Sequence, residues 1–435
     1  AKIGAGMGSI GLAGMMGQGG LSAATGSSPN PLSPKKPHFP AKAKRIIQLF
    51  MPGGPSQVDT FDYKPMLAKH AGERPSIVDR KTLRNTKLGL MPSPFGFKRY
   101  GECGKMVSDI FPETAQCVDD ISFIHSMHTN IPEHAGGILM TNLGALQANR
   151  PSMGSWLTYG LGADTDNLPG FVAMSPVAQP RGKIANWGNS FLPGAYAGSY
   201  VNIGQMKPEA ILSDLKNSSL GREDQRKQAD LLATLNRIHL DRLQQDQKLE
   251  AGIQAMEMAF RMQFSVPDVF DVAKESEATR KLYGESHFAK GCLIARRLVE
   301  RGVRVVQLSH SISGYDIAWD TGHGNIVDGH RDLAKACDQG IAALLKDLKS
   351  RGMLEDTLVV WGGEVGVTVT REMNADAAKT LFGGEALELI SCVGGGGIDQ
   401  GLSGEFVGVF LDAVGHVAVV EEVMNGLYDD GFFDT

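Results

Sequence analysis

Hydrophobic runs alternate with polar, glycine-marked loops along most of this chain, and their periods predict an α/β body. Arg45 to Phe50 (RIIQLF) is a largely apolar run with the length of a strand buried on both faces. It breaks into the Gly/Pro loop Met51-Pro-Gly-Gly-Pro-Ser-Gln-Val-Asp-Thr-Phe-Asp62. Val303 to Ser309 reads as a second strand, ending at His310, and Thr357 to Trp361 as a third, ending in Gly362-Gly-Glu-Val-Gly366. Phe288 to Glu300 reads as a helix. Asp328 to Arg351 reads as another, with Leu333, Ala336, Ile341, Leu344, Leu345 and Leu348 on its apolar face and Gly352 as its stop. Helix, glycine stop, strand and polar loop in succession make a βαβ rhythm, which forces a mostly parallel sheet.

Other segments carry weaker patterns. Val107 to Cys117 reads as a helix and Ile121 to Ser126 as a short strand delivering His125, His128 and His134. Thr141 to Asn149 and Ser152 to Leu161 read as helix, turn, helix. Residues 162–215, rich in Gly, Pro and Asn, read as irregular cover. Leu220 to Met262 has apolar residues at three-to-four spacing and alternating charge, which predicts a long helical insertion at about 220–263, continuous or broken near Gly252. Residues 26–44, rich in Ser, Pro and Lys, read as an extended linker. The body is then one domain over 45–435.

Composition adjusts this picture in three places. Hydrophobic residues at 42% and charged residues at 21% fit a globular protein with a sizeable core. A net charge of −5, with no basic stripe interleaved with aromatics, gives no sign of a nucleic-acid partner. The five cysteines include no C-x-x-C pair, which argues against a thiolate zinc site; Cys103 and Cys117 either close a small loop or remain reduced. Ile3 to Ala24 is apolar, Gly/Ala-rich and uncharged, like the core of a weakly hydrophobic export signal of the twin-arginine kind, although only Lys2 precedes it. Residues 1–25 are therefore read as export-signal-like, placing the protein in the periplasm or at the cell surface.

Candidate chemistry gathers at the ends of the strands, where open α/β sheets hold their ligands. Ser56, Asp59 and Asp62 share one loop; converging carboxylates suit a divalent cation, while turn capping explains the same residues. Asp316, Asp320, His323, Asn325 and His330 supply mixed oxygen and nitrogen ligands; alternatively Asp320 or Asn325 caps the next helix and His330 lies on its exposed face. Glu364 sits among glycines that leave its carboxylate accessible. Neither a G-x-S-x-G elbow nor a Walker loop occurs.

The stretch Arg45-Ile-Ile-Gln-Leu-Phe-Met-Pro-Gly-Gly-Pro-Ser-Gln-Val-Asp-Thr-Phe-Asp-Tyr-Lys-Pro65 resembles the opening motif of the bacterial family called domain of unknown function 1501. So do His125-Ser-Met-His-Thr129, Arg150-Pro-Ser-Met-Gly-Ser-Trp156, Ala259-Phe-Arg-Met-Gln263, Trp319-Asp-Thr321 and Thr357-Leu-Val-Val-Trp-Gly-Gly-Glu364, so that the resemblance covers roughly residues 30–370. The resemblance implies a planctomycete-type exported protein with an alkaline phosphatase/sulfatase-like α/β sandwich, a central mostly parallel sheet flanked by helices, and a site for metals and an anionic ester. Asp59 and Asp62 would stand where sulfatases hold metal-binding aspartates, and Glu364 at their Ser-Asp-His-Gly turn. His134 falls at the sulfatase nucleophile position, so a formylglycine mechanism is not implied. Gly322 interrupts the family's Trp-Asp-Thr-His, Val367 replaces an arginine, and beyond Thr370 the Gly-Arg-Asp-His segment and the closing arginine-rich motif are missing.

The resulting expectation is an exported hydrolase dependent on zinc, calcium or manganese and acting on sulfate or phosphate esters, such as those of a sulfated polysaccharide. Its ligands would be Asp59, Asp62, Asp320, His323 and Glu364, with Ser56 and His134 at the reacting group. The competing expectation is a catalytically inactive envelope or assembly protein, self-associating into homo-oligomers, that retains the fold.

Overall fold

The computed structural model of the chain describes residues 31–37, 41–73, 90–125, 131, 133–165, 167–177, 179–204, 268–311, 317–320 and 326–364, with six helical positions between 223 and 234. By internal contacts the chain divides into Ala1–Pro31 and Leu32–Thr435, and every element described belongs to the second unit. In chain order these are β1 (Arg45–Phe50), α1 (Pro65–Lys69), β2 (Phe97–Tyr100), β3 (Lys105–Ser108), α2 (His134–Leu143), α3 (Met153–Leu161), β4 (Phe171–Ser175), β5 (Ser199–Asn202), α4 (Glu277–Tyr283), α5 (His287–Glu300), β6 (Val305–Ser309), α6 (Ile326–Ser350) and β7 (Thr357–Gly362).

Five strands form a parallel sheet in the order β5-β4-β6-β1-β7. Alternation along each strand sorts side chains between its two faces. Ile47, Leu49, Val306, Leu308, Val172 and Met174 join the main core with the apolar stripes of α5 and α6. Ile46, Val305, Phe171 and Ala173 point the other way, into a smaller core with Leu157 of α3 and Trp187. Helices therefore cover both faces, as the βαβ rhythm predicts.

The second face also holds a buried amide network. Gln48 and Gln307 are register partners on β1 and β6. Both donate to Oδ1 of Asn142 on α2, at 3.4 and 2.8 Å. The Asn142 amide in turn donates to the Ile138 carbonyl and to Asn186. This bonding lets polar side chains lie under a helix without an unmet desolvation cost, and it fixes α2 in position on the sheet.

The other expected elements fared unevenly. Residues 162–215 are not merely irregular cover, since they contribute β4 and β5. FVAMS is buried at all five positions, so it shows no alternation, and it is short enough to pass for part of a loop. The helix expected over Val107 to Cys117 is instead the end of β3 followed by a 3₁₀ turn at Thr114–Asp120, with Pro112 between them. Residues 121–125 belong to no strand or helix. The helix expected from Thr141 begins at His134, because Gly136 and Gly137 mask its first turn in the sequence. Within the stretch read as linker, Leu32 packs against Leu192 and Tyr196, and Lys35 N–H donates to the Leu161 carbonyl. Apart from its six described positions, the insertion at 220–263 lies outside the described residues.

Cys103, Cys117, Cys292 and Cys337 are free thiols. Among the described residues no helix is long and apolar enough to cross a membrane.

Asn142→Ala should lower the free energy of unfolding by about 2–4 kcal/mol, because it strands the amides of Gln48 and Gln307. Urea denaturation checks this, and a loss below about 1 kcal/mol would show that water replaces the asparagine.

Candidate functional site at the carboxyl edge of the sheet

Loops leaving the carboxyl ends of β1, β6 and β7 meet at one edge of the sheet. The β1 loop turns sharply at Gly53, whose φ is 98°. A Cβ there would lie 2.4 Å from the Asp320 nitrogen and 2.7 Å from the Ile317 carbonyl, so only glycine allows the two loops to touch. Trp319 N–H donates to the Pro52 carbonyl, and His310 N–H, just past β6, donates to that of Phe50. Two residues past β7 stands Glu364, with its side chain wholly shielded from solvent.

Glu364 Oε1 accepts the Gly53 amide at 2.7 Å and His134 Nδ1–H at 3.0 Å. His134 opens α2, where Glu133 caps the helix by accepting from the amides of Ala135 and Gly136. A side chain at Gly137 would press on Glu364 at 3.2 Å. The other imidazole nitrogen of His134, Nε2, lies 3.0 Å from Asp320 Oδ2. A carboxylate at each nitrogen favours the protonated ring. The hydrogen bond to Glu364, helped by the Asp320 charge, raises the His134 pKa above the usual histidine value against the opposing effect of burial.

A second group adjoins this one through the same loop. Ser56 Oγ donates to Asp59 Oδ2 at 2.5 Å, and Ser56 N–H donates to His330 Nε2 at 3.0 Å. His330, on α6, is buried rather than on the exposed face of its helix, and its ring meets Trp319 edge-on. Burial lowers its pKa, and nearby Asp59 only partly offsets this. His310 accepts the Trp319 indole N–H at 2.9 Å, and complete burial pushes its pKa down to about 4. Both shifts favour the neutral ring, opposite in direction to that of His134.

The expected site residues are therefore divided. Glu364, Asp320 and His134 come together, and Ser56 and Asp59 sit beside them. Asp62 points elsewhere, pairing with Lys64 at 2.9 Å and approaching His125, which itself contacts Lys105. His323, like His128, lies outside the described residues. His330 was expected either as one member of a ligand cluster or on the exposed face of its helix, while Gln48, Asn142 and Gln307 carry no motif that marks them.

Two buried carboxylate oxygens, Glu364 Oε2 and Asp59 Oδ1, have no hydrogen-bond partner among the described residues. Such orphaned oxygens fit a hard divalent cation. Among the described residues, however, no three His, Cys, Asp or Glu side chains converge closely enough to hold one.

The family model described as Protein of unknown function (DUF1501) matches residues 43–427. The chain belongs to the DUF1501 family. No curated protein and no solved structure matches it. In this DUF1501 chain the matched region contains both strand-end groups, and it extends well past the last described residue, Glu364.

The upward shift at His134 has a measurable consequence. The raised His134 pKa contributes stability that is fully present below about pH 6.5, the unfolded value, and is lost as pH rises through the folded value. Histidine-selective NMR, assigned by loss of the signal in His134→Asn, should show a midpoint above 6.5. The stability difference between wild type and variant should shrink toward alkaline pH.

Proposed function

We propose that this chain is an exported, metal-dependent hydrolase of sulfate or phosphate esters, built on an alkaline phosphatase/sulfatase-like sandwich. The observation that carries the reading is Glu364: a buried carboxylate at the carboxyl end of a parallel strand, with one oxygen unpartnered among the described residues. Glu364 would be the described residue on which zinc, calcium or manganese rests, through its unpartnered oxygen, with the further ligands supplied from outside the described residues, His323 among them. Such an ion polarises the ester and offsets its negative charge. The sheet order supports the placement, since open α/β sheets gather ligands beyond the carboxyl ends of their strands.

The remaining roles fall to this chain's own side chains. Ser56 is the hydroxyl of the site, with Asp59 positioned to accept its proton. His134 holds a proton between two carboxylates and can pass it to a leaving oxygen. Export rests on the Gly/Ala-rich segment Ile3 to Ala24, and a sulfated polysaccharide is the substrate class that an exported ester hydrolase would meet. A second reading, an inactive envelope or assembly protein, is favoured by Val367, by the missing C-terminal motifs and by the neutralising position of His134 between the two carboxylates.

Metal analysis of the natively purified protein, joined to a panel of phosphate and sulfate monoesters, separates the two. The hydrolase reading predicts bound divalent metal and ester turnover, with Glu364→Gln lowering kcat/KM at least about a hundredfold, the scale on which a single electrostatic group acts. A metal-free native sample without turnover on any ester would overturn it in favour of the inactive protein.

A further inference from the structure

A cavity of about 430 Å³ lies between α6 and the segment that links β3 to the 3₁₀ turn at Thr114–Asp120. That volume falls within the range of sites for small molecules. None of its lining residues belongs to the strand-edge site. Neighbouring positions of α6 serve the two places, since His330 is turned to Ser56 while Arg331 lines the cavity.

Charge in this cavity is sorted by element. α6 contributes Arg331 and Lys335, four residues apart and so on one face of the helix. The linking segment contributes Asp109 and Glu113, with Ile110 and Pro112 between them. The two sets do not pair with each other. Among the described residues the Arg331 guanidinium meets only the ring of Phe95, at 5.8 Å, and the Lys335 ammonium has no ion pair or hydrogen bond. Asp109 accepts the Gly96 amide at 3.2 Å, and Glu113 has Lys346 at 3.8 Å, both of those side chains being about half exposed. The walls themselves are fixed. Phe95, which Arg331 overlies, is buried, and Asp109 N–H returns a bond to the Gly96 carbonyl at 2.8 Å. Asp338 of α6 also lines the cavity, but its two oxygens accept the amides of Glu113 and Thr114 at 2.7 Å each, so it ties the segment to the helix.

Opposite charges that share a cavity without neutralising each other suit a ligand carrying both signs. A plain anion would gain from Arg331 and Lys335 but would meet Asp109 and Glu113, and a plain cation faces the reverse. A carboxylate also matches the planar fork of an arginine. We propose that this cavity binds a small zwitterion of amino-acid or dipeptide size, its carboxylate at Arg331 and Lys335 and its ammonium at Asp109 and Glu113. The proposal is independent of any hydrolytic activity.

Isothermal titration calorimetry of the full chain tests it, using free alanine, alanyl-alanine, N-acetyl-alanyl-alanine, which lacks the ammonium, and alanyl-alanine amide, which lacks the carboxylate. The zwitterions should bind saturably, and each blocked dipeptide about fivefold more weakly than the parent, the scale of one exposed ion pair. Arg331→Gln with Lys335→Gln should weaken the parent dipeptide by about tenfold without weakening the amide. Asp109→Asn with Glu113→Gln should weaken the parent without weakening the N-acetyl form. All four side chains are exposed, so the variants should keep the fold, which circular dichroism checks. Three results would overturn the proposal: no saturable binding of either zwitterion; equal binding of the dipeptide by wild type and the Arg331/Lys335 variant, which would place it elsewhere on the chain; or N-acetyl dipeptide binding as tightly as the parent, which would make the cavity a plain anion site.

Discussion

A carboxylate cannot remain buried and charged without compensation, and Glu364 is the point at which this chain meets that constraint. Its side chain is shielded from solvent, so its charge must be answered by donors fixed around it. Those donors are the Gly53 amide, from the first strand's loop, and the Nδ1–H of His134, from the first residue of α2. One carboxylate thereby fastens the segments after β1 and β7 to the helix on the far face of the sheet. Asp320 completes the arrangement from the β6–α6 connection. Removing one partner from a buried pair of this kind typically costs about 3–5 kcal/mol, so the edge stands or falls as a unit.

The rest of the fold serves that placement. α2 bears His134 at its start and Asn142 near its end, and Asn142 is held by Gln48 and Gln307 from adjacent strands. The helix is thus located twice, once by amide bonding over the sheet and once by ion pairing at its edge. On the opposite face α5 and α6 supply ordinary apolar packing, and α6 also carries His330 to Ser56. Burial lowers the pKa of His330 and His310 while two carboxylates raise that of His134, so burial and charge divide three neighbouring histidines.

Much of this architecture was legible in the sequence. RIIQLF and VVQLS announced central parallel strands because a strand buried on both faces is a continuous apolar run; TLVVW reads the same way but forms the half-buried edge strand β7, and α6 showed its face by period. β4 and β5 were not legible: they are short and lie between Pro/Gly-rich loops, and the pairing of β4 with β6 and of β5 with β4 is fixed only in three dimensions. In the site, strand-end position marked Glu364 and Asp320, and the structure brings both to His134. Asp59 and Asp62, two aspartates three residues apart on one loop, turn to different surroundings, one buried near His330 and one paired with Lys64, a difference that spacing does not mark. The joining of His134 to Glu364 spans 230 positions, a distance at which no local pattern operates.

The central claim is that Glu364 binds the β1 loop and α2 into one cooperative edge. Hydrogen–deuterium exchange on wild type and Glu364→Gln measures this most directly, because exchange reports local opening segment by segment. The account predicts that the peptides covering 51–60 and 134–143 accelerate together in the variant, while those of α5 do not change. Unchanged exchange in both segments, or acceleration confined to the neighbours of residue 364, would contradict it.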